Sequence, residues 1–280
     1  MVKSKAVTVL SLFTIIAINA SAQLYNEYVQ QGEVGITAGV AHYFGDLNTR
    51  AAINRPKPAV GLFLRKQFGN YVGLRISAHY AQVGYSDTYS KNEYQKTRNL
   101  SFNSNIVEFT VQGDFNFFKF IPADPDHLFT PYITFGAGVF YYDPYTFLNG
   151  EKEFLRPLGT EGQNSNFQGR KPYKTMAICF PLGVGVKYNL TNKINISFEI
   201  TNRFTNTDYL DDVSTTYVGL AAVPSNEGKL LQDRSFEVNP NFILGTEGRQ
   251  RGFSKQKDQY IIAEAGISFN ISSYKCPSAK

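Results

Sequence analysis

The stretch 177–204 constrains this chain most, because it alternates over two runs joined by Asn189-Leu190-Thr191-Asn192-Lys193. In the first run Ile178, Phe180, Leu182, Val184, Val186 and Tyr188 share one parity, and Cys179, Pro181, Gly183, Gly185 and Lys187 share the other. In the second, Ile194, Ile196, Phe198 and Ile200 oppose Asn195, Ser197, Glu199, Thr201 and Arg203. Successive side chains of a strand point to opposite faces, so this is a hairpin with one apolar face and one small or polar face. A soluble sandwich also alternates. Each run here is about 9–12 residues, the length a tilted strand needs to cross a bilayer, and the pattern recurs along the chain.

The N-terminus carries Lys3 and Lys5, an apolar stretch over 6–18 and the small residues Ala20-Ser21-Ala22. That is the pattern of a secretory signal peptide over residues 1–22, too short in its apolar part for a comfortable spanning helix. No Cys follows the cleavage site, which argues against a lipoprotein anchor. The remainder, 23–280, is long enough for one sizeable domain. No other segment approaches the apolar length of a spanning helix, so membrane residence has to come from strands. The chain has 18 Tyr, 23 Phe, 23 Gly and no Trp, a bias expected of outer-membrane barrels but equally compatible with a secreted sandwich. Its net charge of +5 is not gathered into a Lys/Arg run, so no nucleic-acid partner is indicated. Two cysteines, Cys179 and Cys276, do not make a disulfide framework.

Eight strands are predicted, over 33–44, 59–68, 71–84, 105–118, 131–142, 175–188, 193–204 and 259–271. Their connections alternate in length. Short links are Gly69-Asn70, 121–129 and the turn after Tyr188; long ones are 45–58, 85–104, 143–174 and 205–258. Short periplasmic turns and longer extracellular loops are the signature of a bacterial transmembrane barrel, and a soluble barrel gives no reason for length to segregate by side. The expected fold is therefore an all-β, eight-stranded antiparallel transmembrane barrel over 23–280, in the outer membrane. An even strand number puts both termini, including the tail 272–280, in the periplasm.

Reading the parity opposite to the apolar one gives Glu33, Arg65, Arg75, His79, Glu108, Asp114, Lys187, Glu199, Arg203 and Glu264 among Gly, Ser and Thr. Eight strands leave an interior that side chains just fill. Charges at that density must pair, because an unpaired buried ion costs several kcal/mol. The expectation is a plugged lumen of carboxylate–guanidinium pairs, with the partners of Glu199 and Arg203 on neighbouring strands. Pro181 cannot donate to a ladder, so a bulge or bend is expected there.

No motif points to chemistry. The three histidines, His42, His79 and His127, lack the short-spaced companions that zinc needs, and no nucleophile is marked beside one. No catalytic residue, metal site or cofactor is expected. The cluster Asp208-Tyr209-Leu210-Asp211-Asp212 lacks the alternating Asp pattern of a calcium loop and reads as a solvated or Arg-paired loop edge. Gly45-Asp46-Leu47-Asn48 ends the first strand with turn-forming residues. The long stretch 205–258 holds apolar residues over 218–223 and 242–244 that suit an extracellular cap, and a basic tip over 249–257 that reads as solvated, with a lipopolysaccharide phosphate as the alternative contact.

Four stretches in order give a resemblance: Glu33-Val34-Gly35 with Tyr43-Phe44-Gly45-Asp46-Leu47, then Phe180-Pro181-Leu182-Gly183-Val184-Gly185, then Thr207-Asp208-Tyr209-Leu210-Asp211-Asp212-Val213-Ser214, then Lys275-Cys276-Pro277. Together they resemble the PorG family, outer-membrane barrels of the type IX secretion machinery of Bacteroidota. The resemblance implies a non-enzymatic role: tying a periplasmic ring of PorK- and PorN-like proteins to the outer membrane and supporting protein export and, in gliding species, surface adhesins. It supplies no catalytic residue. On that topology the segments able to meet a periplasmic ring include Gly69, Asn70, Asp124, Asp126, Thr191, Asn192, Cys276 and Pro277. An OmpA-like structural or surface-binding barrel, or a small channel, is the alternative.

Overall fold

Alternation decides the strands. In KPAVGLFLRKQF, Val60, Leu62 and Leu64 are exposed while Phe63, Arg65 and Gln67 are buried, the period-two pattern of a wall with two different sides. A computed structural model describes residues 28–274 except Ala123, and the compact unit treated below is Gln30–Ile271. The signal-peptide segment, Cys276 and Pro277 lie outside the described residues.

The strands are β1 (Tyr28–Phe44), β2 (Lys57–Phe68), β3 (Val72–Ser86), β4 (Ser101–Asn116), β5 (Phe129–Tyr141), β6 (Pro144–Leu148), β7 (Glu151–Phe154), β8 (Met176–Thr191), β9 (Ile194–Thr205) and β10 (Gln259–Tyr274). All the registered pairs are antiparallel, and the order β3-β2-β1-β10-β9-β8-β5-β4 closes on itself through β3–β4, paired from Val72↔Phe115 to Ser86↔Ser101. Eight strands thus make a closed barrel, and closure removes the unpaired edges that would otherwise recruit other chains. The hairpin β6–β7, which alternation did not predict, lies in the third long loop and extends the sheet from the upper end of β4 through Asn103↔Tyr145.

The outward wall is apolar on every barrel strand. Ile36, Leu62, Ile76, Phe109, Phe135, Leu182, Phe198 and Ile267 are all exposed, one from each strand. Soluble monomers rarely expose a contiguous apolar patch above a few hundred Å², whereas a sheath of Val, Ile, Leu and Phe around a barrel suits lipid. Aromatic residues gather toward the short-turn end, with Phe68, Tyr71, Phe115, Phe117, Phe118, Phe129, Tyr188 and Phe269 exposed there. Tyr80, Tyr141 and Phe204 mark the long-loop end of the same belt. This is the wall of a transmembrane barrel with short turns at one end and long loops at the other.

Gly69, at φ 66°, turns β2 into β3 in a conformation that a side chain disfavours. Pro181 behaves differently from expectation: the strand carries no bulge there. Pairing with β9 runs unbroken through Pro181↔Arg203. Pairing with β5 lapses between Phe135↔Leu182 and Gly138↔Cys179, then resumes in the same register. The missing N–H faces β5, so the ladder loses a bond without needing an extra residue.

Candidate functional site: a filled lumen under a buried cap

All ten charged residues of the inward parity are buried in the lumen. In the half nearer the short turns, Arg65 Nη1 meets Glu33 Oε1 at 2.5 Å and its Nε meets Asp114 Oδ2 at 2.5 Å. Arg75 lies 3.5 Å from Asp114 and 2.7 Å from Glu199. Tyr132 donates to Glu199 at 2.8 Å, Thr134 accepts from Arg75 at 3.0 Å, and Ser268 donates to Glu33. Lys187 Nζ sits 3.9 Å from Glu33 and 4.5 Å from the ring centre of buried Phe120, which the turn after β4 provides. Glu33 and Glu199 thereby keep several donors each, and Asp114 lies between two guanidinium groups, the conditions under which buried ion pairs are tolerated.

Nearer the long loops, Glu108 collects a second group. Arg203 approaches it at 3.3 Å, Tyr260 donates at 2.5 Å, and the Cys179 thiol lies 3.7 Å away. His79 bridges, with Nδ1 3.3 Å from Glu108 and Nε2 3.4 Å from Glu264. One expectation is corrected here. Glu199 and Arg203 stand on β9, beside β8 and β10, yet their partners Arg75 and Glu108 come from β3 and β4. The long side chains meet across the lumen because a narrow barrel makes the opposite wall reachable.

Above the barrel the four long loops close into a cap, and two of the stretches quoted above for the family resemblance, 43–47 and 207–214, lie at its base. Leu47, Leu210, Asp211 and Asp212 are buried, as is Asp208, so of the two readings of the acidic run the solvated one fails, while arginine pairing is found at Asp212, 3.9 Å from Arg251. Tyr43 donates to Asp211 at 2.5 Å and to Asp258 at 3.1 Å. Asp46 accepts from the Phe253 amide at 3.0 Å, and Asp208 accepts from Ser214 at 2.6 Å. Asp212 adopts φ 64° and accepts from Thr160 at 2.5 Å and Tyr173 at 2.7 Å, while Tyr209 stacks on Tyr173 with centroids 4.7 Å apart.

Two guanidinium groups pin the loops together. Arg98 forks onto Asp87 at 2.7 and 2.8 Å and donates to the Arg251 carbonyl at 2.5 Å. Arg251 meets Glu161 at 3.1 Å and the Asp212 carbonyl at 2.6 Å, and Glu161 also accepts from Ser214 and Thr215. The basic stretch around Arg249 is therefore not a wholly solvated tip, since its central arginine is a buried clamp. Apolar residues complete the cap, Val218, Val223 and Leu244 being buried, while Phe242 and Ile243 remain exposed.

Burial without enough cations shapes the acidity of the cap. Asp208 is pushed up to about 7 by burial, with Asp46 and Glu161 adding to the rise. Burial raises Asp46 to about 6 against the Phe253 amide and Arg98, and raises Asp212 to about 6 against Arg251. Asp211 and Asp258 are raised by burial and by each other or their acidic neighbours. Removing a charge from water is costly, so burial favours the protonated form, even at Asp212, where Arg251 lies 3.9 Å away. Among the described residues no group of three or more His, Cys, Asp or Glu side chains is arranged to hold a metal ion.

Asp46 and His42 do not form a catalytic pair. His42 Nε2 lies 2.5 Å from the Ala52 carbonyl, and the Asp46 carboxylate is held by a backbone amide. At the opposite end, Gly69, Asn70, Asp126, Thr191 and Asn192 are exposed, and half-buried Asp124 caps the helical turn Pro125–His127, its second oxygen 2.8 Å from His127. Alternation missed the hydroxyls of Tyr132 and Tyr260, although both share the inward parity. It gave no signal at all for Glu161, Arg98, Asp87 or Arg251, which lie in the long loops, Asp87 and Arg98 on short helical segments over Asp87–Tyr89 and Glu93–Arg98.

No curated protein sequence matches the chain. Among solved structures it is similar to the N-terminal β-barrel domain of Pseudomonas aeruginosa OprF, at 12% identity over 87% of this chain and 100% of that one, with a TM-score of 0.37. It is also similar to Neisserial surface protein A (11%, covering 86% and 97%, TM-score 0.40). A major outer membrane protein of Thermus thermophilus is similar too (11%, covering 86% and 99%, TM-score 0.40). These overlaps are loose, and the fold rests on the strand pairing of the chain itself. A family model described as "Domain of unknown function (DUF6089)" matches residues 9–220, and the chain belongs to that family.

Proposed function

We propose that this protein is a non-catalytic outer-membrane barrel that anchors the periplasmic ring of a type IX protein secretion machinery, in gliding species also serving export of surface adhesins. The observation that carries the reading is the filling of the barrel. Ion pairs such as Arg65–Glu33 and Arg75–Glu199 occupy the lumen, and the cap buries the loop carboxylates on tyrosines and amides. A barrel so occupied offers a lipid-facing wall and two ends, not a path for solutes or a reaction centre. The choice of partner, a ring of PorK- and PorN-like proteins, rests on the resemblance of Gly45-Asp46-Leu47, Pro181 and Asp208–Asp212 to the PorG family. The ring would meet the short-turn end, through Gly69, Asn70, Asp124, Asp126, Thr191, Asn192 and the tail with Cys276 and Pro277.

The test is co-purification from detergent with PorK- and PorN-like proteins. Recovery of the ring should fall when these short-turn residues are replaced together. Ring recovery that persists after replacement overturns the docking surface, and no recovery with the intact chain overturns the partner. A second reading, a surface-binding barrel acting through its loops, draws on the exposed apolar pair Phe242 and Ile243. Replacing both by Ser should leave ring recovery unchanged; a loss there favours the second reading.

A further inference from the structure

The outer wall carries a cationic, aromatic row just above the apolar belt. On β3 and β4 the belt ends with Tyr80 and its partner Val107, both exposed. Beyond them the same face turns polar, with Gln82↔Asn105 and then Gly84↔Asn103. An added Cβ on Gly84 would lie 3.0 Å from Lys57 Nζ, and that ammonium donates to Asn103, so Lys57 from β2 reaches onto the outer face. Asn103 pairs with Tyr145 of the β6–β7 hairpin. Tyr145, Phe147 and Phe154 share one face of that hairpin, the centroids of the two Phe rings lying 5.9 and 6.0 Å from that of Tyr145. Lys152 Nζ lies 3.8 Å from the Tyr145 centroid and 4.6 Å from that of Phe154.

The row stands at the outer limit of the head-group layer. Asn103 is four residues beyond Val107 on a tilted strand, or about 10 Å farther along the barrel axis. The polar layer of a bilayer begins where the hydrocarbon ends and is about 5–8 Å deep on each side, which leaves Asn103 about 2–5 Å above it, within the length of a lysine side chain. The row is continuous with the lipid-facing wall and looks sideways, into the membrane's surface layer. Its charge is positive: Lys57 and Lys152 stand there, and Asp143, the carboxylate that acts on Lys152, is shared with Arg156. Glu153 pairs with buried Thr146 and so lies on the hairpin's other face.

We infer that Lys57, Asn103, Tyr145 and Lys152 form a seat for the anionic phosphate head group of a membrane lipid on the long-loop side of the bilayer. An exposed lysine held over aromatic faces, as Lys152 is, keeps its ammonium in place by cation–π attraction, and each cation near an anionic surface contributes about 1 kcal/mol. The inference rests on the membrane part of the reading above and not on the ring partner.

The full chain is reconstituted in nanodiscs of mixed phosphatidylcholine and phosphatidylglycerol, and the lipids retained after transfer to detergent are counted by native mass spectrometry. The intact chain should retain phosphatidylglycerol in preference to phosphatidylcholine. The double variant Lys57→Gln, Lys152→Gln should lower that preference about thirty-fold, and Lys152→Arg should keep it. Equal retention of both lipids by the intact chain, or an unchanged double variant, overturns the inference and leaves the barrel reading standing. Failure of the intact chain to enter the nanodisc overturns both.

Discussion

Arg75 of β3 reaches Glu199 of β9 at 2.7 Å, across the barrel and not along its wall. A cross-lumen pair ties together strands that share no ladder, so it resists ovalisation of the barrel as well as neutralising charge. Removing one partner leaves the other buried and uncompensated, which costs about 3–5 kcal/mol. Arg75→Met should therefore destabilise the barrel by that order, and adding Glu199→Leu should restore much of the loss. Urea unfolding of the reconstituted barrel, read by tyrosine fluorescence, checks both; additive losses in the double variant would contradict the pairing.

The belt makes a separate demand. Leu62 faces outward in the middle of β2 and is well exposed, whereas Ile53 is exposed in the first long loop. A cation placed at the bilayer midplane costs about 2–4 kcal/mol, and surface changes away from special features stay within about 0.5 kcal/mol. Leu62→Arg should impair folding into vesicles by the larger amount and Ile53→Arg by the smaller. Equal effects in a folding titration would place water, not lipid, against Leu62.

The cap should respond to pH. Asp208 at about 7 and Asp46 and Asp212 at about 6 lie above the ordinary carboxylate value of 3.8. A folded group that binds its proton more tightly than the unfolded one stabilises fully below the unfolded value, and the contribution disappears as pH rises through the folded one. Cap stability from these groups is thus complete below about pH 4 and fades toward pH 7 and above. Hydrogen exchange of the amides over 207–215, corrected for its intrinsic pH dependence, should show less protection at pH 8 than at pH 5. Asp208→Asn should flatten the profile, with the barrel amides unaffected.

Glu161 and Arg251 offer a charge test within the same cap. Both are buried 3.1 Å apart, and Glu161 also receives the Ser214 and Thr215 amides. Glu161→Gln leaves the guanidinium only the Asp212 carboxylate, 3.9 Å away, as a close counter-charge, a loss of about 3 kcal/mol concentrated in the loops. Limited proteolysis should then cut within 215–250 much faster than in the intact chain while the barrel core survives. Unchanged cleavage would mean that Arg251 is not the clamp its contacts describe.

The barrel was legible because lipid imposes a rule that a sequence can display. Outward Val60, Leu62 and Leu64 and inward Arg65 follow from period two alone, as does the segregation of short turns from long loops. Which lumen charges meet was not legible, since parity assigns Glu199 to a side of the wall but says nothing about reach across it. Pro181 misled for a related reason: only the direction of its missing N–H decides whether a ladder must bulge. The cap was the least accessible part. Its clamp joins Arg98, Glu161 and Arg251 from three separate long loops, which no periodicity relates to one another, and the β6–β7 hairpin is too short to announce itself.

Single-channel recording in a planar bilayer tests the filled barrel most directly, with insertion verified by protection of the strands from added protease. The ion-paired lumen and closed cap predict inserted protein that passes no steady current. A reproducible unit conductance from the inserted chain would contradict them.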